Sequence, residues 1–104
     1  MNKYRTHNCS ELNEKDVKKN VTLSGWVHRK RDHGNLLFLD IRDHFGITQC
    51  VIENQDKNFK ILEKLKPESV ILVKGSVVKR SAETQNKELK TGLVEVKIKE
   101  FEIL

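Results

Sequence analysis

Residues 26–43, Trp-Val-His-Arg-Lys-Arg-Asp-His-Gly-Asn-Leu-Leu-Phe-Leu-Asp-Ile-Arg-Asp, constrain the fold more than any other stretch of the chain. A basic cluster runs into a Gly34-Asn35 turn, and the turn runs into strict alternation. Leu37, Leu39 and Ile41 share one face, while Phe38, Asp40 and Arg42 share the other. Alternation of this kind marks a half-buried strand, and a Gly-Asn pair between extended segments marks a hairpin. The pattern predicts an exposed Phe38 among polar neighbours. Arginines that grip phosphates, beside a ring that stacks on a splayed base, describe a site for single-stranded nucleic acid.

The segment upstream repeats the pattern. Val21, Leu23 and Val27 lie on one side of residues 21–27 and Thr22, Ser24 and Trp26 on the other, with Gly25 marking a bulge or tight coil. The same parity then delivers Arg29 and Arg31, which no apolar core accepts without partners. The strand is therefore expected to run past the edge of the core there, its inward face becoming the floor of a groove. Downstream, residues 43–46 read as a second turn with Gly46 at positive φ, followed by a strand over residues 47–52. In residues 56–65 the period changes: Phe59, Leu62 and Leu65 fall at helical spacing, Asp56 can cap and Pro67 stops the helix. Residues 70–78 form a continuous apolar strand around Gly75. The last strand points Val94, Val96 and Ile98 inward, and near Glu100 the apolar role passes to Phe101 and Ile103.

Three strands, a short helix and two strands make an all-β chain, in the order of the five-stranded oligonucleotide-binding (OB-fold) barrel. That barrel occupies residues 21–104, and residues 1–20 form an N-terminal extension anchored by Cys9, Leu12 and Val17. At 104 residues and 37% hydrophobic content there is material for one core and no second domain. The net charge of +5 favours a polyanionic partner. Cys9 and Cys50 lack C-x-x-C spacing, so buried reduced thiols in a cytoplasmic protein are expected. The N-terminus carries no apolar signal region, and no apolar run reaches spanning length, so no membrane is expected as a partner.

On the expected platform, Phe38 stacks and the Gln49 amide, with donor and acceptor, pairs with a base edge. The orientation of Gln49 stays open, because it alternates with Ile47 and Val51; a bulge near Gly46 would turn it outward. Arg29, Lys30 and Arg31, with Lys79 and Arg80, form two basic clusters at the ends of neighbouring strands. Glu95, on the outward parity of the last strand, can accept from guanine N–H groups. His7, His28, His33 and His44 lack the spacing of a metal site or a general base, and no phosphate loop or activated nucleophile is present. Nothing in the chain looks catalytic.

Residues 25–34 (Gly-Trp-Val-His-Arg-Lys-Arg-Asp-His-Gly), 37–43 (Leu-Phe-Leu-Asp-Ile-Arg-Asp), 46–49 and 91–96 resemble the N-terminal anticodon-binding domain of bacterial-type aspartyl-tRNA synthetases, and the likeness spans residues 4–104. The resemblance implies that Phe38 stacks on the central anticodon uridine, that Gln49 and Arg31 fix that base, and that Glu95 reads the first-position guanine or its modified form. Arg80 and Asn86 match positions near the anticodon backbone and the third base. Two places depart from the family: residues 81–90, and Lys18, where many members have Gly.

The resemblance further implies a class II catalytic domain after Leu104, with ATP, magnesium and aspartate sites. This stretch then recognises tRNA without charging it and holds no cofactor of its own. The fragment is expected to be a monomer and the parent enzyme a homodimer through its catalytic domain. In the family, His at position 33 tends to mark enzymes that accept asparagine tRNA as well as aspartate tRNA. Two other functions fit the same pattern: a sequence-tolerant single-strand binding barrel, and a protein-interaction barrel with no nucleic-acid role.

Overall fold

The computed structural model describes residues 6, 7, 9–32, 34–80 and 91–104. Strands β1 (Asn20–Asp32), β2 (Leu36–Arg42) and β3 (Ile47–Glu53) form an antiparallel meander. Helix α1 (Phe59–Glu63) follows, then β4 (Val70–Lys79) and β5 (Val94–Ile103). The strands close into a barrel in the order β1-β2-β3-β5-β4, with β3 and β5 pairing in parallel. Among the described residues, closure leaves no strand of the barrel without a neighbour on either side.

The barrel interior is filled by the alternating residues expected of it, including Val21, Leu23, Val27, Leu37, Leu39, Ile41, Ile71, Val73, Val77, Val94 and Val96. Phe59, Leu62 and Leu65 join this core from α1 and the residue pair after it. Truncating one of the fully buried leucines, such as Leu23, to Ala costs about 2–5 kcal/mol. The helix is shorter than its sequence period. Asp56 does not cap it directly but closes the turn before it, its Oδ1 accepting from the Asn58 N–H at 2.8 Å.

Gly25 and Gly75 each sit where another strand's backbone crosses closely. A Cβ at Gly25 would collide with the Arg42 carbonyl oxygen, and one at Gly75 with that of Lys97. These are the tight bends that a small barrel needs. Opposite Gly75 the register of β4 against β5 slips by one residue, so that Lys74 faces Glu100 while Gly75 faces Ile98. This bulge is the physical cause of the parity change read near Glu100. Phe101 is accordingly half-buried against the core, but Ile103 is 51% exposed and does not take the core role expected of it.

The expected positive φ of Gly46 is not found. Gly34 is the glycine in that conformation among the described residues, at φ 77°. At Gly46 the constraint is space, since a Cβ there would lie 2.9 Å from Cβ of Ser10. The segment that presses on it is held by Asp43, whose Oδ2 accepts from the Cys9 N–H and whose Oδ1 accepts from the Phe45 and Gly46 N–H groups. Cys9 and Leu12 are fully buried, so this N-terminal segment packs as part of the barrel's core. Lys18 adopts φ 78°, which explains why glycine suits the position.

Candidate nucleic-acid interface

A bulge in β1 creates the candidate face. Val27 pairs with Ile41 and Arg29 with Asp40, leaving His28 as the extra residue. A one-residue insertion flips every following side chain to the opposite face. Arg29 and Arg31 therefore leave the inward parity of Val27 and join Phe38 and Asp40 outside. This corrects the expectation that the strand runs past the barrel edge with its arginines on the inner side. Lys30 takes the inward parity instead, and its Nζ donates to the Glu63 carbonyl at the end of α1 at 2.6 Å.

The outward orientation of Gln49 needs no bulge. Residues of β2 and β3 pair without a register shift: Phe38 with Val51, Asp40 with Gln49, and Arg42 with Ile47. The inward residues of β3 are thus Thr48, Cys50 and Ile52. Sequence parity was ambiguous because Ile47 and Val51 are more apolar than Thr48 and Cys50. Cys50 is enclosed completely, and burial pushes its thiol well above the ordinary range.

Phe38 lies on the outer face but is not exposed. Its residue is 6% accessible, flanked by its cross-strand partners Arg31 and Val51, with the Arg31 guanidinium carbon 5.6 Å from the ring centroid. The expected open platform is in fact a covered one. Parity gave the correct face; the side chain that lies over the ring was hidden by the unread bulge.

At the centre of the face a chain of charged and amide groups crosses four strands, β1, β2, β3 and β5. Arg31 Nη2 donates to Asp40 Oδ1 at 2.9 Å and to Gln49 Oε1 at 2.6 Å, and Gln49 Nε2 donates to Glu95 Oε1 at 2.8 Å. Gln49 is 1% exposed. Its amide can sit only one way, because arginine donates without accepting and an ionised carboxylate accepts without donating. Burial raises the Glu95 pKa, opposed by the Gln49 hydrogen bond and then by the charges of Arg80 and Arg31.

Arg80 follows β4 on the same face. It is buried, its Nε donates to the Val94 carbonyl at 2.8 Å, and the carboxylates of Asp40 and Glu95 favour its charge against the desolvation that opposes it. Beside Glu95 a cleft of about 220 Å³ is lined by Leu36, Val51, Glu53, Val78 and Lys97, and Lys97 pairs with Glu53 across it at 3.3 Å.

Arg29, Arg31, Phe38, Gln49, Arg80 and Glu95 thus share one face, in the strand order β1-β2-β3-β5-β4. His33 and Asn86 lie outside the described residues. Asp40 is the residue that sequence reasoning missed. Its signal is a carboxylate two positions from Phe38 on the same face, but strand parity without the bulge puts its partner Arg31 on the other side. Among the described residues, no three His, Cys, Asp or Glu side chains converge on a metal position, and no helix is long and apolar enough to cross a membrane.

A closed five-stranded barrel with an aromatic, an amide and arginines on one outer face has the form of an oligonucleotide-binding module. The chain belongs to the tRNA anti-codon family, the OB-fold nucleic acid binding domain, whose family model matches residues 21–104. It is 57% identical over its full length to an aspartate–tRNA(Asp/Asn) ligase of Pelagibacter ubique, and 58% identical over 99% of its length to one of Paramagnetospirillum magneticum. It spans 18% and 12% of those proteins. Among solved structures it is similar to the asparaginyl-tRNA synthetase of Pyrococcus horikoshii, at 30% identity and a TM-score of 0.79, covering 94% of this chain and 22% of that one. An OBody bound to hen egg-white lysozyme matches at 26% identity and a TM-score of 0.82, over 96% of this chain and 93% of that one.

Proposed function

We propose that this chain reads the anticodon loop of aspartate tRNA for a longer, cytoplasmic aspartate–tRNA ligase. The observation that carries this reading is the run of side chains Arg31, Phe38, Gln49 and Glu95 on one barrel face. It offers a stacking surface next to donors and acceptors whose directions are already set. A central uridine stacks on Phe38, displacing the Arg31 guanidinium from the ring toward the base edge. Arg31 then donates to a uridine carbonyl, and Gln49 completes the contact. Glu95 accepts from the N–H groups of a first-position guanine, the cleft beside it giving that base room. Arg29, exposed at the rim, holds a phosphate, and Arg80 with Asn86 attends the backbone and third base.

The reaction of the whole enzyme, ATP- and magnesium-dependent aspartylation of tRNA, takes place on a catalytic domain that also makes the dimer contact. This barrel supplies recognition alone. The relatives' Asp/Asn naming and His33 both favour acceptance of asparagine tRNA as well. The two anticodons differ in the third base, so discrimination between them rests on one contact. Titrating this chain with aspartate, asparagine and lysine anticodon stem-loops at one fixed salt concentration tests the reading. Comparable binding of the first two and weaker binding of the third is expected; a tenfold preference for the aspartate loop over the asparagine loop would contradict dual acceptance. Equal binding of all three at low salt favours a sequence-tolerant single-strand binder. Binding of none favours a protein-interaction barrel, the use that the OBody makes of this architecture.

A further inference from the structure

Arg31 and Arg80, unlike the exposed Arg29, are not free to act as phosphate grips. Arg31 and Arg80 carry two positive charges and Asp40 and Glu95 two negative ones, leaving the centre of the face electrically neutral. Asp40 occupies the middle of this arrangement. It stands across from Arg29 on β1 and from Gln49 on β3, and its carboxylate takes one of the two hydrogens on Arg31 Nη2 while Gln49 takes the other. Nη1 of Arg31 has no part in these bonds. Nε is buried and has no hydrogen-bond partner among the described residues. A buried donor without a partner is costly, and that cost is relieved when an acceptor arrives. The geometry is that of a guanidinium tethered at one corner, with its remaining donors held for an incoming carbonyl oxygen.

We propose that Asp40 is a positioning and specificity-determining residue of this face: it tethers Arg31 so that the guanidinium reads the edge of the base stacked at Phe38 and is kept from pairing with a phosphate. The proposal rests on the reading of the face as an anticodon site. The tether does two things. When the base enters, Arg31 pivots about the Asp40 contact and keeps its register with Gln49, so a base with a carbonyl acceptor is favoured over one that presents an amino group there. The Asp40 charge also cancels that of Arg31, so the pair contributes nothing to the sequence-independent, salt-sensitive part of binding.

Asp40→Asn separates these effects from a structural one. The readouts are the ratio of Kd values for stem-loops carrying central uridine and central cytidine, and the slope of log K against log salt. In the wild-type chain the uridine loop is expected to bind at least about tenfold more tightly. In Asp40→Asn that ratio should fall about tenfold, and the salt slope should steepen by roughly 0.7, one added phosphate contact on a single strand. Asp40→Glu, which restores the charge, should return the slope to its wild-type value. Circular dichroism checks that the barrel is folded, and Asp40→Ser carries the same test should the Asn variant unfold. A wild-type ratio near one overturns the anticodon reading itself. A wild-type preference that survives unchanged in the variants, with the slope also unchanged, overturns the role of Asp40 and leaves the anticodon reading standing.

Discussion

Replacing Phe38 with Leu isolates the stacking surface from the packing around it. The ring is 6% exposed, so Phe38→Ala would open a cavity as well as remove the π-face. Leu keeps most of the apolar volume, and such swaps cost less than about 1.5 kcal/mol of stability. To this is added the loss of the Arg31 contact at 5.6 Å, worth about 0.5–1 kcal/mol at a partly exposed site. Binding changes by two opposed amounts. Losing a stacked base costs about 1–3 kcal/mol, while the base no longer has to displace a guanidinium from the ring, which returns about 0.5–1 kcal/mol. With weak stacking set against the weak contact and strong against strong, the net is about 0.5–2 kcal/mol, or roughly 2- to 30-fold in Kd. Fluorescence anisotropy with a labelled aspartate anticodon stem-loop at one salt concentration measures this, and a thermal melt confirms the fold. An unchanged Kd in a folded Phe38→Leu chain would refute the argument, placing the ring in the packing of the outer face and out of the binding site.

The other expectations concern charge and backbone. Arg29→Gln, at the exposed end of the bulge, should flatten the salt slope by roughly 0.7 while leaving the central-base preference intact; loss of preference would show that Arg29 reads a base. The raised pKa of Glu95 means that its ionisation works against the folded barrel: the stability linked to this group is fully present at low pH and is lost as pH rises through its folded pKa. With Glu95 as the proposed guanine acceptor, binding would require its ionised form, so affinity should fall on acidification with a midpoint above the ordinary value of 4.5, and Glu95→Gln should remove that titration. A midpoint at or below 4.5 would contradict it. Lys18→Gly relieves a residue at φ 78° and should stabilise the barrel by about 0.5–1 kcal/mol in urea unfolding, whereas a loss of stability would show that the Lys side chain matters more than its backbone. Gly25→Ala drives a Cβ into the Arg42 carbonyl and should cost about 1–3 kcal/mol in the same assay, a neutral result being inconsistent with so close a crossing.

The strand order, the helix between β3 and β4 and most of the core follow from period and punctuation, because closed barrels repeat one rule along each strand. What could not be read was the slip in β1. The extra residue His28 carries no mark in the sequence, yet it decides that Arg29 and Arg31 face Phe38 and Asp40. Missing it misplaced the arginines, left Phe38 uncovered and hid the partner of Asp40. Gln49 was obscured for a different reason: Thr48 and Cys50 fill the interior beside Val96 while the larger Ile47 and Val51 lie outside, so hydrophobicity alone points the wrong way on β3. The slip at Glu100 was legible because apolar residues change parity there, a signal that charged residues 28–32 could not give.

The claim that this face reads a base is tested most directly by competition between two aspartate anticodon stem-loops that differ only in the central base, uridine or cytidine, on the wild-type chain at fixed salt. The arrangement of Arg31, Phe38 and Gln49 predicts that the uridine loop is preferred by about tenfold or more. Equal binding of the two loops would contradict it.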